Sequence, residues 1–163
     1  MLALVVPGRG SVELAHLVCD MNGTLAEDGD LLEGIAGRLA QLGKQMQIHV
    51  VTADTHGTAA RNEEQLRIVC VAADTPIPRW ERVVAGDDKE AYVRALGPES
   101  VVAVGNGAND ARMMQAARLS ICVIGSEGAH GTALLAADIV TRSPLDALDM
   151  LLYPARLVAT WRH

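Results

Sequence analysis

Asp20-Met21-Asn22-Gly23-Thr24-Leu25 follows directly on the apolar run of residues 14–19, and the reading of this junction decides the fold. A short apolar run that holds a β-branched residue and ends in a sharp turn fits a buried strand better than a helix. A carboxylate at the C-terminal mouth of such a strand stands where open α/β sheets hold their chemistry. Gly23 lets the backbone turn tightly and present N–H groups to an anion, and Thr24 adds a hydroxyl donor. The competing reading is a plain hairpin turn at Asn22-Gly23. The other strand ends weigh between the two.

Upstream, Leu2–Val6, the turn Pro7-Gly8-Arg9-Gly10 and residues 12–19 read as two strands joined by a tight loop. Downstream, Ala26-Glu27-Asp28-Gly29-Asp30 is a second turn, a small flap that could project over the site. Leu32, Ile35, Ala36 and Leu39 repeat at helical spacing, and Gly43 is a fair stop. Residues 48–51 form the next strand, ending in Thr52-Ala53-Asp54-Thr55. A helix over 57–66, a strand over 68–72 and a proline-bearing loop over 74–79 follow. Asp87 or Asp88 can cap a helix that runs through Leu96 and closes at Gly97. Residues 101–104 make a strand that ends in Gly105-Asn106-Gly107-Ala108-Asn109-Asp110, with a helix through Ala117 behind it. A strand over 119–124, a turn at 125–128, a short helix to Ala136 and a strand over 138–140 complete the alternation. Ser143-Pro144 then opens a helix with an N-cap serine and a proline at the first position. Residues 157–163 carry no assignment.

Strands alternating with helices throughout predict an α/β fold, a doubly wound parallel sheet with helices on both faces, as a single domain over residues 1–163. All strand C-termini in such a sheet face one edge, so Asp20, Thr52, Asn106 and Asp110 converge there. Lys89 belongs beside them. It falls in the first turn of its helix, where the dipole disfavours a cation, and that placement makes sense if it faces a bound anion. A solvated surface lysine is the alternative.

Composition narrows the function. Half of the 163 residues are apolar, yet Phe is absent and there are only two Trp and two Tyr, so aliphatic side chains must build the core. The net charge of −6 offers no basic stripe, which argues against a nucleic-acid partner. Cys19, Cys70 and Cys122 sit inside apolar runs without a CxxC pair, as expected of small buried hydrophobes in a reducing compartment. Neither a signal-peptide pattern nor an apolar run of membrane length is present, so a soluble cytoplasmic protein with no membrane span is expected. His16, His49, His56, His130 and His163 show no metal-ligand spacing. Only His56, beside the Thr52 loop, stands where it could touch a substrate.

Asp20 with Gly23-Thr24, Thr52 behind a second strand, Lys89, and residues 105–110 together resemble the four motifs of the haloacid dehalogenase (HAD) superfamily of phosphohydrolases. The likeness spans about residues 14–149. Thr52-Ala53-Asp54 and Gly105-Asn106-Gly107-Ala108-Asn109-Asp110 look like the Thr-Gly-Asp and Gly-Asp-Gly-x-Asn-Asp of P-type ATPases, here as a soluble, free-standing phosphatase. The resemblance implies that Asp20 is a nucleophile forming an aspartyl phosphate. Gly23, Thr24, Thr52, Ala53 and Lys89 would bind the phosphoryl group. Mg²⁺ would be held by Asp20, the Asn22 carbonyl, Asn106 and Asp110.

Two positions depart from the family pattern. Asn22 replaces the Asp that most phosphatases of the superfamily use as general acid and base, a contribution of roughly 10²–10⁴-fold, so slow turnover is expected. Asn106 replaces a metal-binding Asp and should weaken Mg²⁺ binding. No cap domain fits between residues 20 and 52 or between 52 and 89. Cap-less relatives often oligomerise or act on macromolecules. The expectation is therefore a homo-oligomer acting on a phosphorylated small molecule or phosphoprotein. Its flap over residues 27–30 would lie near an interface, and Leu2–Val6 with residues 157–161 would serve as the glue. The rival expectation, favoured by both asparagines, is a regulatory or phosphate-binding protein that no longer turns over. A dinucleotide site at Gly105-x-Gly107 is disfavoured because Asp110 would oppose a pyrophosphate.

Overall fold

Ala15 divides the apolar stretch ahead of Asp20 into two strands that belong to different sheets. The computed structural model describes residues 1–82 and 86–163. β1 (Leu2–Val6) pairs antiparallel with β2 (Gly10–Leu14) as a hairpin. The Ala15 backbone then bonds to Ser100 and Gln47 (2.8 Å each), and the chain enters β3 (His16–Asp20) of the main sheet. The single strand expected over residues 12–19 is thus two. A bonded residue at the crossing redirects the chain, a change that apolar composition alone does not announce.

β4 (Ala26–Glu27) and β5 (Asp30–Leu31) form the two-residue strands of the expected flap. α1 (Ile35–Leu42) follows and stops at Gly43, as its spacing indicated. β6 (Gln47–Thr52) leads into α2 (Ala59–Ala72), which corrects the helix over 57–66 and strand over 68–72. Asn62, Leu66 and Cys70, four apart, are the buried residues of one continuous helix, while Ile68 and Val71 are 56% and 58% exposed. The β-branched residues suggested a strand, but helical periodicity of burial prevails. The strand of this unit is instead β7 (Arg79–Arg82), at the edge of the sheet and just past the proline-bearing segment.

α3 (Gly86–Ala95), β8 (Val101–Gly105), α4 (Ala111–Ala116), β9 (Leu119–Val123), α5 (Gly131–Ala136) and β10 (Ile139–Thr141) continue the alternation. α6 (Pro144–Leu152) starts at Ser143, whose side chain accepts from Asp146 N–H as an N-cap. α7 (Pro154–Trp161) ends the fold. The six-stranded sheet is parallel throughout, in the order β10-β9-β8-β3-β6-β7. The order reverses at β3, so Asp20 stands at the switch point, where such sheets open a crevice.

Strand alternation sorts the core into two layers. Leu17, Cys19, Val50, Val102 and Val104 face the layer with Leu39, Leu148 and Leu157. Val18, Val51, Ala103 and Cys122 face Val93, Met113, Met114 and Ala133 of α3, α4 and α5. The three cysteines are buried and free. Among the described residues no cap is inserted, and no helix is long and apolar enough to cross a membrane.

The tail without a sequence assignment docks as α7 against β1. Leu157 and Trp161 are buried in the same cluster as Leu2, Leu4 and Val6. Arg9 Nε donates to the Trp161 carbonyl (2.9 Å), and the Arg9 and Arg118 guanidinium groups lie 4.7 and 5.5 Å from the centroid of the Trp161 ring. The inward faces of β1 and the tail, named above as oligomer glue, are thus packed against each other within the chain, while Val5 on the outward side of β1 stays 76% exposed. Trp161→Ala should therefore destabilise the monomer fold by about 3–5 kcal/mol in urea denaturation. A loss below about 1 kcal/mol would mean that the tail is not docked.

Candidate active site

Asp20 is the last residue of the central strand, 7% exposed, and its neighbour across the groove is a lysine with no exposure at all. Lys89 Nζ donates to Asp20 Oδ1 and to Asp110 Oδ1, both at 2.7 Å. It lies in the first turn of α3, as expected, and it is not a solvated surface lysine. Two buried carboxylates thus share one ammonium. Burial, and then the Asp110 charge, push the Asp20 carboxyl up to about 7 against the pull of Lys89. For Lys89 burial works against the charge, but Asp20 and Asp110 outweigh it and hold the ammonium above its ordinary range.

The loop behind Asp20 is shaped by one close approach. Gly23 has φ +75°, and a Cβ there would come within 2.4 Å of Asn106 Nδ2, so only glycine lets the two loops meet. The Thr24 hydroxyl lies 3.5 Å from Asp20 Oδ2 and 3.3 Å from Asn106 Oδ1. Asn106 Nδ2 donates to the Gly128 carbonyl (3.0 Å), which turns its Oδ1 toward Thr24. Asp110 is fully buried, and its Oδ2 accepts the Asn106 and Gly107 N–H groups (3.0 and 2.8 Å). Those bonds close the 105–110 turn and fix the carboxylate that Lys89 touches.

Thr52 ends β6, the strand beside β3. Its hydroxyl oxygen accepts the Asp54 N–H (2.9 Å), so its proton remains available to a ligand. Asp54, at φ +53°, accepts Ala59 N–H and anchors α2 (2.9 Å). Ala53 is half-buried between them. The structure therefore gathers Asp20, Thr24, Lys89, Asn106 and Asp110 in direct contact, with Asn22 and Gly23 on the same loop. Thr52 and Ala53 stand on the adjoining strand end, without a hydrogen bond to that cluster among the described residues.

The flap is tied down on both sides. Gly29 carbonyl accepts from Thr58 Oγ1 (2.7 Å) and Asn62 Nδ2 (3.0 Å), and Arg61 pairs with Asp30. On the other side Asp28 N–H donates to Glu127 Oε1 (2.8 Å). Thr58, Asn62 and Glu127 escaped the sequence reading. Asn62 shares the four-residue spacing of Leu66 and Cys70, and a continuous α2 would have revealed it. Glu127 gives no such signal. His56 lies against the flap, its Cβ 3.0 Å from where a Gly29 Cβ would stand. Between flap and the 125–128 turn lies a cavity of about 320 Å³, lined in part by Gly23, Thr24, Glu27, Leu32 and Arg142.

The oxygen donors suit a hard cation. Asp20 Oδ2 and Asn106 Oδ1 converge on one hydroxyl, and Asn22 Oδ1 is buried without a partner. Among the described residues no three His, Cys, Asp or Glu side chains form a metal-binding group.

Comparison with known proteins fits this geometry. No known family's sequence profile matches the chain. A 3-deoxy-D-manno-octulosonate 8-phosphate phosphatase from Moraxella catarrhalis, solved with magnesium, phosphate and its sugar acid, superposes with a TM-score of 0.63 at 14% identity. The match covers 91% of this chain and 94% of that one. A phosphoserine phosphatase in its apo form superposes with a TM-score of 0.60 at 16% identity, over 86% and 99% of the two chains. The fold is that of the HAD superfamily. By sequence, the uncharacterized protein MJ0073 of Methanocaldococcus jannaschii is 48% identical over 64 residues, 39% of this chain and 69% of that protein. The chain belongs to the family of MJ0073.

Proposed function

We propose that the chain is a slow, Mg²⁺-dependent phosphohydrolase that acts on a phosphorylated small molecule or phosphoprotein through an aspartyl phosphate on Asp20. The observation that carries this reading is the buried Asp20–Lys89–Asp110 cluster, with the Thr24 and Thr52 hydroxyls at the same sheet edge. The fold shared with phosphatases agrees with it.

Lys89 holds Asp20 Oδ1 at 2.7 Å, and Oδ2, which the Thr24 hydroxyl approaches only to 3.5 Å, is the oxygen that would attack. It forms a bond to phosphorus as the phosphorus–oxygen bond to the leaving group breaks, and the departing oxygen takes its proton from water. Water then attacks phosphorus, phosphate leaves, and the Asp20 carboxylate returns. Lys89 and the Thr52 hydroxyl meet the charge of the transferring group. Asp20, the Asn22 main-chain carbonyl, Asn106 and Asp110 would hold Mg²⁺, which supplies further neutralisation of that charge. Asn22 cannot exchange a proton, and hydrolysis of the acyl phosphate should be the slow step, as in P-type ATPases, which the motifs resemble. A screen of phosphomonoesters and acyl phosphates with Mg²⁺, read as released phosphate, tests the reading. No release from any of them would favour a binding protein without turnover, the reading that Asn22 and Asn106 also suit.

Asn22→Asp should raise hydrolysis by about 10–10³-fold, short of the full acid–base range because Asn106 still weakens the metal site. Asn22-Gly23 and Asn106-Gly107 are prone to deamidation, so mass spectrometry of fresh protein must accompany the assay. No rise in this variant or in Asn22→Asp/Asn106→Asp, with Mg²⁺ bound, would show that the missing acid is not the bottleneck.

A further inference from the structure

A second concave surface lies at the opposite edge of the sheet, where β3, β6 and β7 begin. It encloses about 590 Å³ and is lined by His16, Lys44, Gln45, Gln47 and Arg79 among others, with no Asp or Glu in the lining among the described residues. Lys44 and Arg79 are thus its charged side chains, in a chain of net charge −6. The catalytic edge does not account for it.

Its floor connects to the core. His16 Nδ1 lies 3.1 Å from His49 Nε2, and His49 Nδ1 lies 2.8 Å from the Tyr92 hydroxyl. His49 is fully buried, and Tyr92 sits on α3, three residues beyond Lys89. Burial, then Arg79, holds His16 below its ordinary range. Burial, then His16 and Arg79, bring His49 down to about 4, so both rings are neutral near pH 7. Two neutral imidazoles in series allow two polarities. In one, Tyr92 donates to His49 Nδ1, His49 Nε2–H donates to His16 Nδ1, and His16 presents its remaining N–H outward. In the other every arrow reverses and His16 presents a lone pair. Beside Lys44 and Arg79, an anion selects the first.

We propose that this cavity binds a phosphate-bearing oxyanion, held by Lys44 and Arg79 and oriented by the outward ring N–H of His16. Binding fixes the tautomer of His49 beneath the helix that carries Lys89. Binding here needs neither Mg²⁺ nor turnover, so its test stands apart from that of the phosphatase reading.

Pyrophosphate titrated calorimetrically into the full chain, in EDTA at low salt, should fill one site per chain, in the parent and equally in Thr52→Ala. Lys44→Ala/Arg79→Ala should weaken it by at least about tenfold. Tyr92→Phe, which frees His49 to flip, should weaken it by about threefold to fivefold. The imidazole nitrogen resonances of His16 and His49 should shift together at saturation. AMP in place of pyrophosphate separates a nucleotide ligand from a free phosphate, and binding of either supports the site. No heat with either at millimolar concentration would overturn the proposal. Binding that survives the double variant but vanishes in Thr52→Ala would place the anion at the catalytic edge and overturn it equally. Heat with unmoved imidazole resonances would mean an adventitious ion only.

Discussion

Asp20→Asn should abolish hydroxylamine-labile labelling by acetyl phosphate and, in EDTA at pH 8, melt at a higher temperature than the parent. The first outcome follows because an amide cannot form the acyl phosphate, and loss of a nucleophile costs on the order of 10⁵–10⁶-fold. The second follows from the crowding of two carboxylates on one ammonium. Asp20 ionises near 7 in the native state, against 3.8 ordinarily, with burial first and Asp110 second as causes. A carboxyl raised in this way is more readily ionised in the unfolded chain. The native state therefore loses stability as pH rises from about 4 to about 7, and the full cost persists above that. The neutral amide of the Asp20→Asn variant would carry no such cost, and Lys89 would keep Asp110 as a one-to-one partner. At pH 4 the two proteins should differ little. Labelling of Asp20→Asn at parental strength would reassign the nucleophile, and a lower melting temperature at pH 8 would show that the carboxylate is not held under strain.

Lys89→Met should have the opposite effect on stability, a loss of about 3–5 kcal/mol in urea at pH 8, because it leaves two buried carboxylates without a cation. The coupling can be read from a cycle. Adding Asp20→Asn to Lys89→Met should recover part of the loss, since one of the orphaned charges is gone. If the single and double variants are equally unstable, the cost comes from lost packing of the lysine stem rather than from charge. Lys89→Arg should lower activity, because a planar fork does not reproduce a compact ammonium bonded to two carboxylates 2.7 Å away.

The positions of Asp20, Thr52, Lys89 and Asp110 were legible because each lies at a strand end or helix start marked by glycine or acidic residues, and a parallel sheet brings such ends to one edge. The same logic placed the flap, α1 and the Ser143 cap. It failed where composition and periodicity conflict. Ile68-Val69-Cys70-Val71 looks like a strand, but the neighbouring Asn62 and Leu66 extend a helical burial pattern through it. It failed again at Ala15, since apolar strands of a hairpin and of a sheet read alike. The tail was illegible for a further reason: Trp161 is buried by a strand at the other end of the chain, a contact that local pattern cannot express. The pairing of His16 with His49 is likewise set by strand register.

The flap has a kinetic meaning. Its strands are two residues long, and among the described residues side-chain bonds from Thr58, Asn62, Arg61 and Glu127 fasten its tip. None of those bonds belongs to the sheet ladder, so the tip can detach while the core amides stay protected from exchange. At about 1 kcal/mol for each bond, detachment should cost well under the free energy of global unfolding, a local opening rather than a domain movement. The Asp28 amide should then exchange with solvent deuterium far faster than that of Val18 or Val104. Severing one side with Glu127→Ala should speed it further without changing the protection of the central strands.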